Sequence, residues 1–324
     1  MVKFGFIGLF GINKWHYLPG ILKSEKAELV AGVDPSERAR NVFNEACDVP
    51  LYASFQEMVE NHDLDAVMIG TPNPVHLLNI KEAARAGLHM SVTKPLCNTV
   101  KDSLEAIQVC RENDVILQVG HEYRFRPSVR KAIELAVSGE IGDITLMTAH
   151  MGSLAGLGKL TADGTWRSKA ENVPGGCLNL LGVHMFDVAN AILGKPQSLT
   201  SSIKKLLTPS ELDDTVAVTV DYENGATAII SSSYVPAPSD FIHIFGSKEN
   251  LIVTDTCLWR EANRELIAVE FDKACGSAQI VIDELCDAIT AQKELSTPGN
   301  AGLLTVAMNE AAVKSAAGKG LIEL

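Results

Sequence analysis

Short apolar runs recur through the first 120 residues, at 2–7, 28–33, 65–69, 88–92 and 115–119, with segments of helical spacing such as 73–86 and 100–113 between them. Strand–helix alternation leaves few folds open. Consecutive strands must lie parallel, joined by helical crossovers that cover both faces of the sheet. Residues 1–121 therefore read as a doubly wound, Rossmann-type parallel sheet. In such a sheet, ligands bind outside the carboxyl ends of the strands. The residues that follow each apolar run are thus where chemistry is to be sought.

The pattern changes after Gly120. A helix is predicted over 127–138, stopped by Gly139, and strands over 143–151, 215–222, 226–234 and 241–245. Asn224-Gly225, between two of these strands, is a hairpin signal. Further helices are predicted over 176–193, 277–291 and 301–317. Residues 122–324 read as an α+β domain with a large, mostly antiparallel open sheet, the last helix being left open to pack back on the first domain. The glycine-rich stretch 152–175 is a long loop, expected to be functional or mobile.

Composition narrows the function classes. Of 324 residues, 46% are hydrophobic and 21% charged, as expected of a soluble globular chain. A formal net charge of −12 argues against nucleic acid or an anionic membrane as partner. No apolar run reaches the roughly 18–20 residues that cross a bilayer. Residues 1–10 read as a first strand, not as a signal peptide. The seven cysteines are scattered and form no C-x-x-C pair, which points to reduced thiols in the cytoplasm, with no disulfide framework and no metal site.

Thr93-Lys94-Pro95 follows the 88–92 run, so an ammonium stands at the carboxyl end of a central strand. Pro95 biases Lys94 toward extended geometry. Gly8-Leu9-Phe10-Gly11-Ile12-Asn13 follows the first strand, where a phosphate-binding turn belongs. Gly8 suits the tight turn, and the next helix offers free N–H groups to a pyrophosphate. Phe10 and Asn13 stand where the second and third glycines would be, so a bare strand-to-helix turn is an equal alternative. Asp34 closes the second strand, where an acidic side chain accepts from a ribose hydroxyl and favours NAD. It is also placed to cap the helix after Pro35. Ser36 and Arg38 offer groups to a 2′-phosphate, which keeps NADP open. Thr71-Pro72-Asn73-Pro74 closes the third strand and offers a loop to the cofactor. His76, counted with that loop, reads as a structural helix residue and not as a catalyst.

His184 lies in Gly175-Gly176-Cys177-Leu178-Asn179-Leu180-Leu181-Gly182-Val183-His184-Met185-Phe186-Asp187. A lone histidine on an apolar helix is usually a core residue. Here a double glycine permits close approach, and Asp187 shares a face with His184 at i+3. Histidine takes a hydroxyl proton near neutral pH. Trp166-Arg167 would line a sugar-sized pocket by stacking and charge, or else serve packing. Tyr123, Arg124 and Arg126 follow the 115–119 run and either touch substrate or bridge domains.

Together these segments resemble the Gfo/Idh/MocA family, which includes glucose–fructose oxidoreductase and inositol dehydrogenase. The likeness is carried by the Gly8 turn, Thr71-Pro72-Asn73 with His76, Ala86-Gly87-Leu88-His89, Lys94-Pro95, Ser138-Gly139-Glu140-Ile141-Gly142, Trp166-Arg167, Gly175-Gly176, Gly182-Val183-His184 and Asp187, and it runs over nearly the whole chain. The resemblance implies a nicotinamide cofactor, a second domain for substrate binding and oligomerisation, and a homodimer or homotetramer. It also implies a sugar, cyclitol or related polyol as substrate, with Lys94 as catalytic lysine and His184 as catalytic histidine. The cofactor contacts would be Gly8, Phe10, Gly11, Ile12, Asp34, Arg38, Thr71, Pro72, Asn73, His76, Thr93 and Lys94. The substrate contacts would be Tyr123, Arg124, Trp166, Arg167, Asn179 and Asp187.

Three positions depart from the family pattern. Leu180 replaces the aspartate four residues before the histidine, Thr93 the glutamate before the lysine, and Phe10 the second glycine. Asn179, one residue from the aspartate position, is expected to point about 100° away on an α-helix. Two other readings compete with a dehydrogenase. One is an NAD-dependent glycosidase using transient oxidation, and the other is a non-catalytic nucleotide- or ligand-binding homologue.

Overall fold

A computed structural model describes residues 1–11, 13–158, 165–235 and 239–324. The chain forms two compact units, Met1–Phe125 with Cys275–Leu303, and Arg126–Ala274 with Leu304–Leu324. The expected boundary at 121 falls a few residues later, and the first unit takes a late segment that sequence reading gave to the second.

In the first unit, β1 (Val2–Ile7), β2 (Ala27–Val33), β3 (Leu51–Tyr52), β4 (Ala66–Ile69), β5 (His89–Thr93) and β6 (Leu117–Gly120) form one sheet in the order β3-β2-β1-β4-β5-β6. Every pairing is parallel. This is the dinucleotide-fold order. The strands are buried on both faces, as Ala66–Ile69 illustrates, so they read as continuous apolar runs instead of alternating ones. Crossover helices are capped by local chemistry. Ser54 and Glu57 form a reciprocal capping box, and the Thr99 hydroxyl accepts from the Asp102 N–H.

The late helix Ser277–Ala291 belongs to this unit because of its apolar face. Ala278, Val281, Ile282, Leu285 and Cys286 are buried in one cluster with Phe4, Phe6, Tyr17, Leu18 and Ile21. Gln118 on β6 donates to the Val281 carbonyl at 3.1 Å, which fixes the helix to the sheet. Leu285→Ala would open a cavity here. It is expected to destabilise the protein by about 2–5 kcal/mol, read as a lower midpoint in thermal unfolding of the purified variant.

In the second unit, β7 (Ile144–Ser153), β8 (Pro196–Lys204), β9 (Thr215–Tyr222), β10 (Thr227–Tyr234), β11 (Asp240–Gly246), β12 (Asn250–Thr254), β13 (Leu258–Ala262), β14 (Glu265–Ala268) and β15 (Ile322–Glu323) form a sheet ordered β14-β13-β12-β11-β7-β10-β9-β8-β15. The β7–β10 pair is parallel and the other pairs are antiparallel. Burial alternates along β9, where Val216, Val218, Val220 and Tyr222 are buried and Ala217, Thr219 and Asp221 are exposed. The sheet is therefore covered on one face and open on the other. The Asn224-Gly225 hairpin forms as predicted, with the Asn224 side chain accepting from the Ala226 N–H at 3.0 Å. Among the described residues, no helix is long and apolar enough to cross a membrane.

Candidate active site

The register of the first sheet decides what can meet. Ile7 pairs with Ile69, Ile69 with Val92, and Val92 with Val119. The segments after β1, β4 and β5 therefore leave the sheet at one edge, and Gly8, Thr71 and Lys94 emerge side by side.

Gly8 has φ +84°, and a Cβ there would lie 2.9 Å from Thr71 Cγ2 and 3.0 Å from the Thr71 nitrogen. Backbone twist and close approach both require glycine. Leu9 is buried, and its N–H donates to Asp34 Oδ2 at 3.0 Å. Asp34 Oδ1 accepts from the Ser36 N–H at 2.9 Å. The carboxylate thus ties the turn after β1 to the segment leading into the next helix, whose N-cap is Ser36 and not Asp34. Arg38 is exposed. Arg40, which sequence reading passed over, donates to the Asp34 carbonyl at 2.6 Å. Its signal was the helical step of four from Ser36, whose carbonyl accepts from the Arg40 N–H.

Phe10 is 57% exposed, so its ring points out of the turn and does not fill it. Ile12 lies outside the described residues. At the β4 exit, Thr71 donates from Oγ1 to Asn79 at 2.7 Å, and Asn73 is buried. His76 is fully enclosed. Its Nδ1 lies 3.0 Å from the Pro95 carbonyl and 3.2 Å from that of Leu96, and its Nε2 lies 2.9 Å from that of Thr71. Burial pushes the ring below its ordinary pKa, while the three carbonyls pull it upward. The ring is thus engaged by the protein's own backbone, in keeping with the structural helix role read for it. Thr93 is buried, with Oγ1 3.5 Å from His76 Nε2.

Two expected substrate contacts in this unit are engaged internally. Tyr123 is buried in the single turn Glu122–Phe125. Arg124 donates from Nη1 to the Ser296 carbonyl at 2.8 Å, tying that turn to the late segment.

The second unit holds the other set. The Arg167 guanidinium stacks 4.4 Å above the Trp166 ring, and burial lowers its pKa. Asn179, His184 and Asp187 are all buried. The apolar spacing predicts one α-helix over 176–193. Instead, Leu178–Gly182 winds as a wide π-turn that feeds the α-helix Val183–Leu193. A π-turn inserts a residue into the helical register. Each residue advances by less than 100° there, so Asn179 and Leu180 are separated by a smaller angle than on an α-helix. Among the described residues, no group of three or more histidine, cysteine, aspartate or glutamate side chains is placed to hold a metal.

A parallel sheet in dinucleotide-fold order, with a glycine turn, a strand-end carboxylate and a lysine at one edge, defines a nucleotide-binding oxidoreductase. Its partner unit, an open mixed sheet carrying a buried histidine helix, is the second half of that class. A model for the oxidoreductase family with an NAD-binding Rossmann fold matches residues 2–121, and one for the GFO/IDH/MocA C-terminal domain matches 129–252. The chain belongs to the Gfo/Idh/MocA family. It is 28% identical to inositol 2-dehydrogenase of Rhizobium meliloti, over 100% of this chain and 99% of that protein. It is also 28% identical to D-xylose 1-dehydrogenase (NADP(+)) 2 of Haloferax volcanii, over 72% of this chain and 70% of that one. A solved oxidoreductase from Desulfitobacterium hafniense superposes with a TM-score of 0.93 at 26% identity, covering 99% of this chain and 97% of its own.

Proposed function

We propose that the protein is an NAD(P)-dependent dehydrogenase or reductase that acts on a secondary hydroxyl or ketone of a sugar, cyclitol or related polyol. The observation that carries this reading is the edge shared by Gly8, Thr71 and Lys94, directly after three adjacent parallel strands. The turn fits a dinucleotide. Gly8 leaves room for close backbone approach, and the Asp34 carboxylate is held in place by two N–H donors.

A bound nicotinamide supplies a hydride acceptor or donor. Lys94 contributes a cation beside the oxygen that develops alkoxide character, and so lowers the barrier. His184 takes the hydroxyl proton. Asn179 stands in for the missing carboxylate as a neutral donor and acceptor, and Trp166 with Arg167 lines the sugar side. Asp34 favours NAD over NADP, since a carboxylate repels a 2′-phosphate. A second copy covers the open face of the second sheet, where Phe241, His243 and Phe245 alternate with buried Ile242 and Ile244. This reading makes the protein a homodimer or homotetramer. Seven scattered thiols, without a C-x-x-C pair, support a cytoplasmic setting.

Calorimetric titration with NAD(H) and NADP(H) tests the cofactor, and a panel led by myo-inositol and D-xylose tests the substrate class. NAD is expected to bind at least about tenfold more tightly than NADP, the equivalent of one repulsive contact. Binding of neither nucleotide would favour the non-catalytic reading. Sugar release without net NADH would favour the glycosidase.

A further inference from the structure

His76 touches both the loop after β4 and the loop after β5 with one side chain. On one side, its Nε2 meets the carbonyl of Thr71, the residue that packs on Gly8. On the other, its Nδ1 meets the carbonyls of Pro95 and Leu96, the two residues after Lys94. The ring is fully buried, so it is held by these partners and not by solvent. Carbonyl oxygens accept only, so the neutral ring donates to one arm at a time, according to which nitrogen carries the proton, and sets its other nitrogen against the second arm. The Thr93 hydroxyl, 3.5 Å from Nε2, stands behind the same nitrogen.

We propose that His76 is a positioning residue that links the Thr71 turn to the backbone immediately after Lys94, and so couples nucleotide binding to placement of the catalytic lysine. The clamp rests on the role assigned to Lys94 above, but its Thr71 arm can be read without that role. A side-chain cap alone would not place both ring nitrogens against carbonyls of two different loops. A catalytic histidine would need an open face, which this ring lacks.

The two arms can be cut separately, because amide side chains place their nitrogen differently. Asparagine sets its N–H₂ near the position of Nδ1, and glutamine near that of Nε2. His76→Asn keeps the Pro95–Leu96 arm and loses the Thr71 arm. It is expected to raise Kd for NAD by about five- to tenfold, the equivalent of one hydrogen bond, and to change kcat less than that. His76→Gln keeps the Thr71 arm. It is expected to hold Kd for NAD and to lower kcat by about tenfold or more through a displaced lysine. Both are measured with NAD and the fastest polyol of the panel, on variants whose melting curves show a folded protein. Variants that move the same constant by the same factor, or move neither, overturn the clamp.

If Lys94→Met leaves turnover intact, the role of Lys94 falls. The clamp is then judged on the Thr71 arm alone, which a raised Kd in His76→Asn supports and an unchanged Kd overturns. If the variants do not fold, hydrogen exchange on the wild-type protein decides. Saturating NAD should slow exchange over residues 71–79 and 93–98 together, and slowing confined to 71–79 overturns the coupling.

Discussion

Lys94→Met should leave melting temperature nearly unchanged, weaken NAD much less than it slows turnover, and lower kcat by about 10²–10³-fold, the range seen when one preorganised donor to a developing oxyanion is removed. The two halves of that expectation have separate grounds. Lys94 follows β5 outside the buried core, and the strand is fixed by parallel pairing to both neighbours, so its side chain is not needed to hold the sheet. Methionine keeps most of the apolar stem and removes the ammonium with its charge and its donors. What is lost is a cation at an edge where the backbone of three strands converges. Steady-state kinetics at saturating NAD and polyol, compared with calorimetry for the nucleotide, separates the outcomes. A loss of kcat much larger than the change in Kd fits a group that acts mainly in the transition state. A kcat within a factor of about three of wild type, with folding intact, would remove Lys94 from the chemistry and leave the proposed mechanism without its electrophile.

The cofactor half of the molecule was legible because its strands are buried on both faces. Continuous apolar runs such as Ala66–Ile69 stand out from the amphipathic helices between them. The second half was less legible for two physical reasons. Several strands are short or rich in serine and threonine, as in Pro196–Lys204. The hairpin between β13 and β14 turns at Asn263-Arg264, both with positive φ, where the usual signal is Asn-Gly. An arginine in the second position hides that turn. The late helix was assigned to the wrong unit because burial against a distant sheet has no local signature. Only the apolar face of Ser277–Ala291 pointed to a partner, and it did not say which. The π-turn at Leu178–Gly182 was also invisible, since a single inserted residue leaves apolar spacing nearly unchanged.

Gly176→Ala should be the most damaging small substitution in the second unit. Gly176 has φ +55°, a conformation that already costs a side chain energy. More decisive is the space around it. A Cβ built there would lie 2.0 Å from the Asp213 carbonyl oxygen and 2.7 Å from the Asp213 nitrogen, both backbone atoms that cannot rotate away. The same carbonyl accepts from the Cys177 N–H at 2.9 Å, the bond that pins the start of the histidine segment to the 213–214 turn. That turn is itself rigid. The Asp214 carboxylate accepts from the N–H groups of Leu207 and Thr208 at 2.5 and 2.7 Å, and these donors hold its pKa below the usual carboxylate range against the opposing effect of burial. Neither side can give way cheaply, so the methyl group must displace the entry to the π-turn that carries Asn179 and, beyond it, His184. The expected cost is about 2–4 kcal/mol of stability, above the usual range for overpacking because backbone must move. Any folded fraction should lose turnover while keeping its affinity for NAD, because the nucleotide turn lies in the other unit. Thermal unfolding and NAD calorimetry on the same preparation check both parts. An unchanged melting curve would mean that the Gly176–Asp213 contact is looser than the structure draws it, and the double glycine would lose its role in aiming His184.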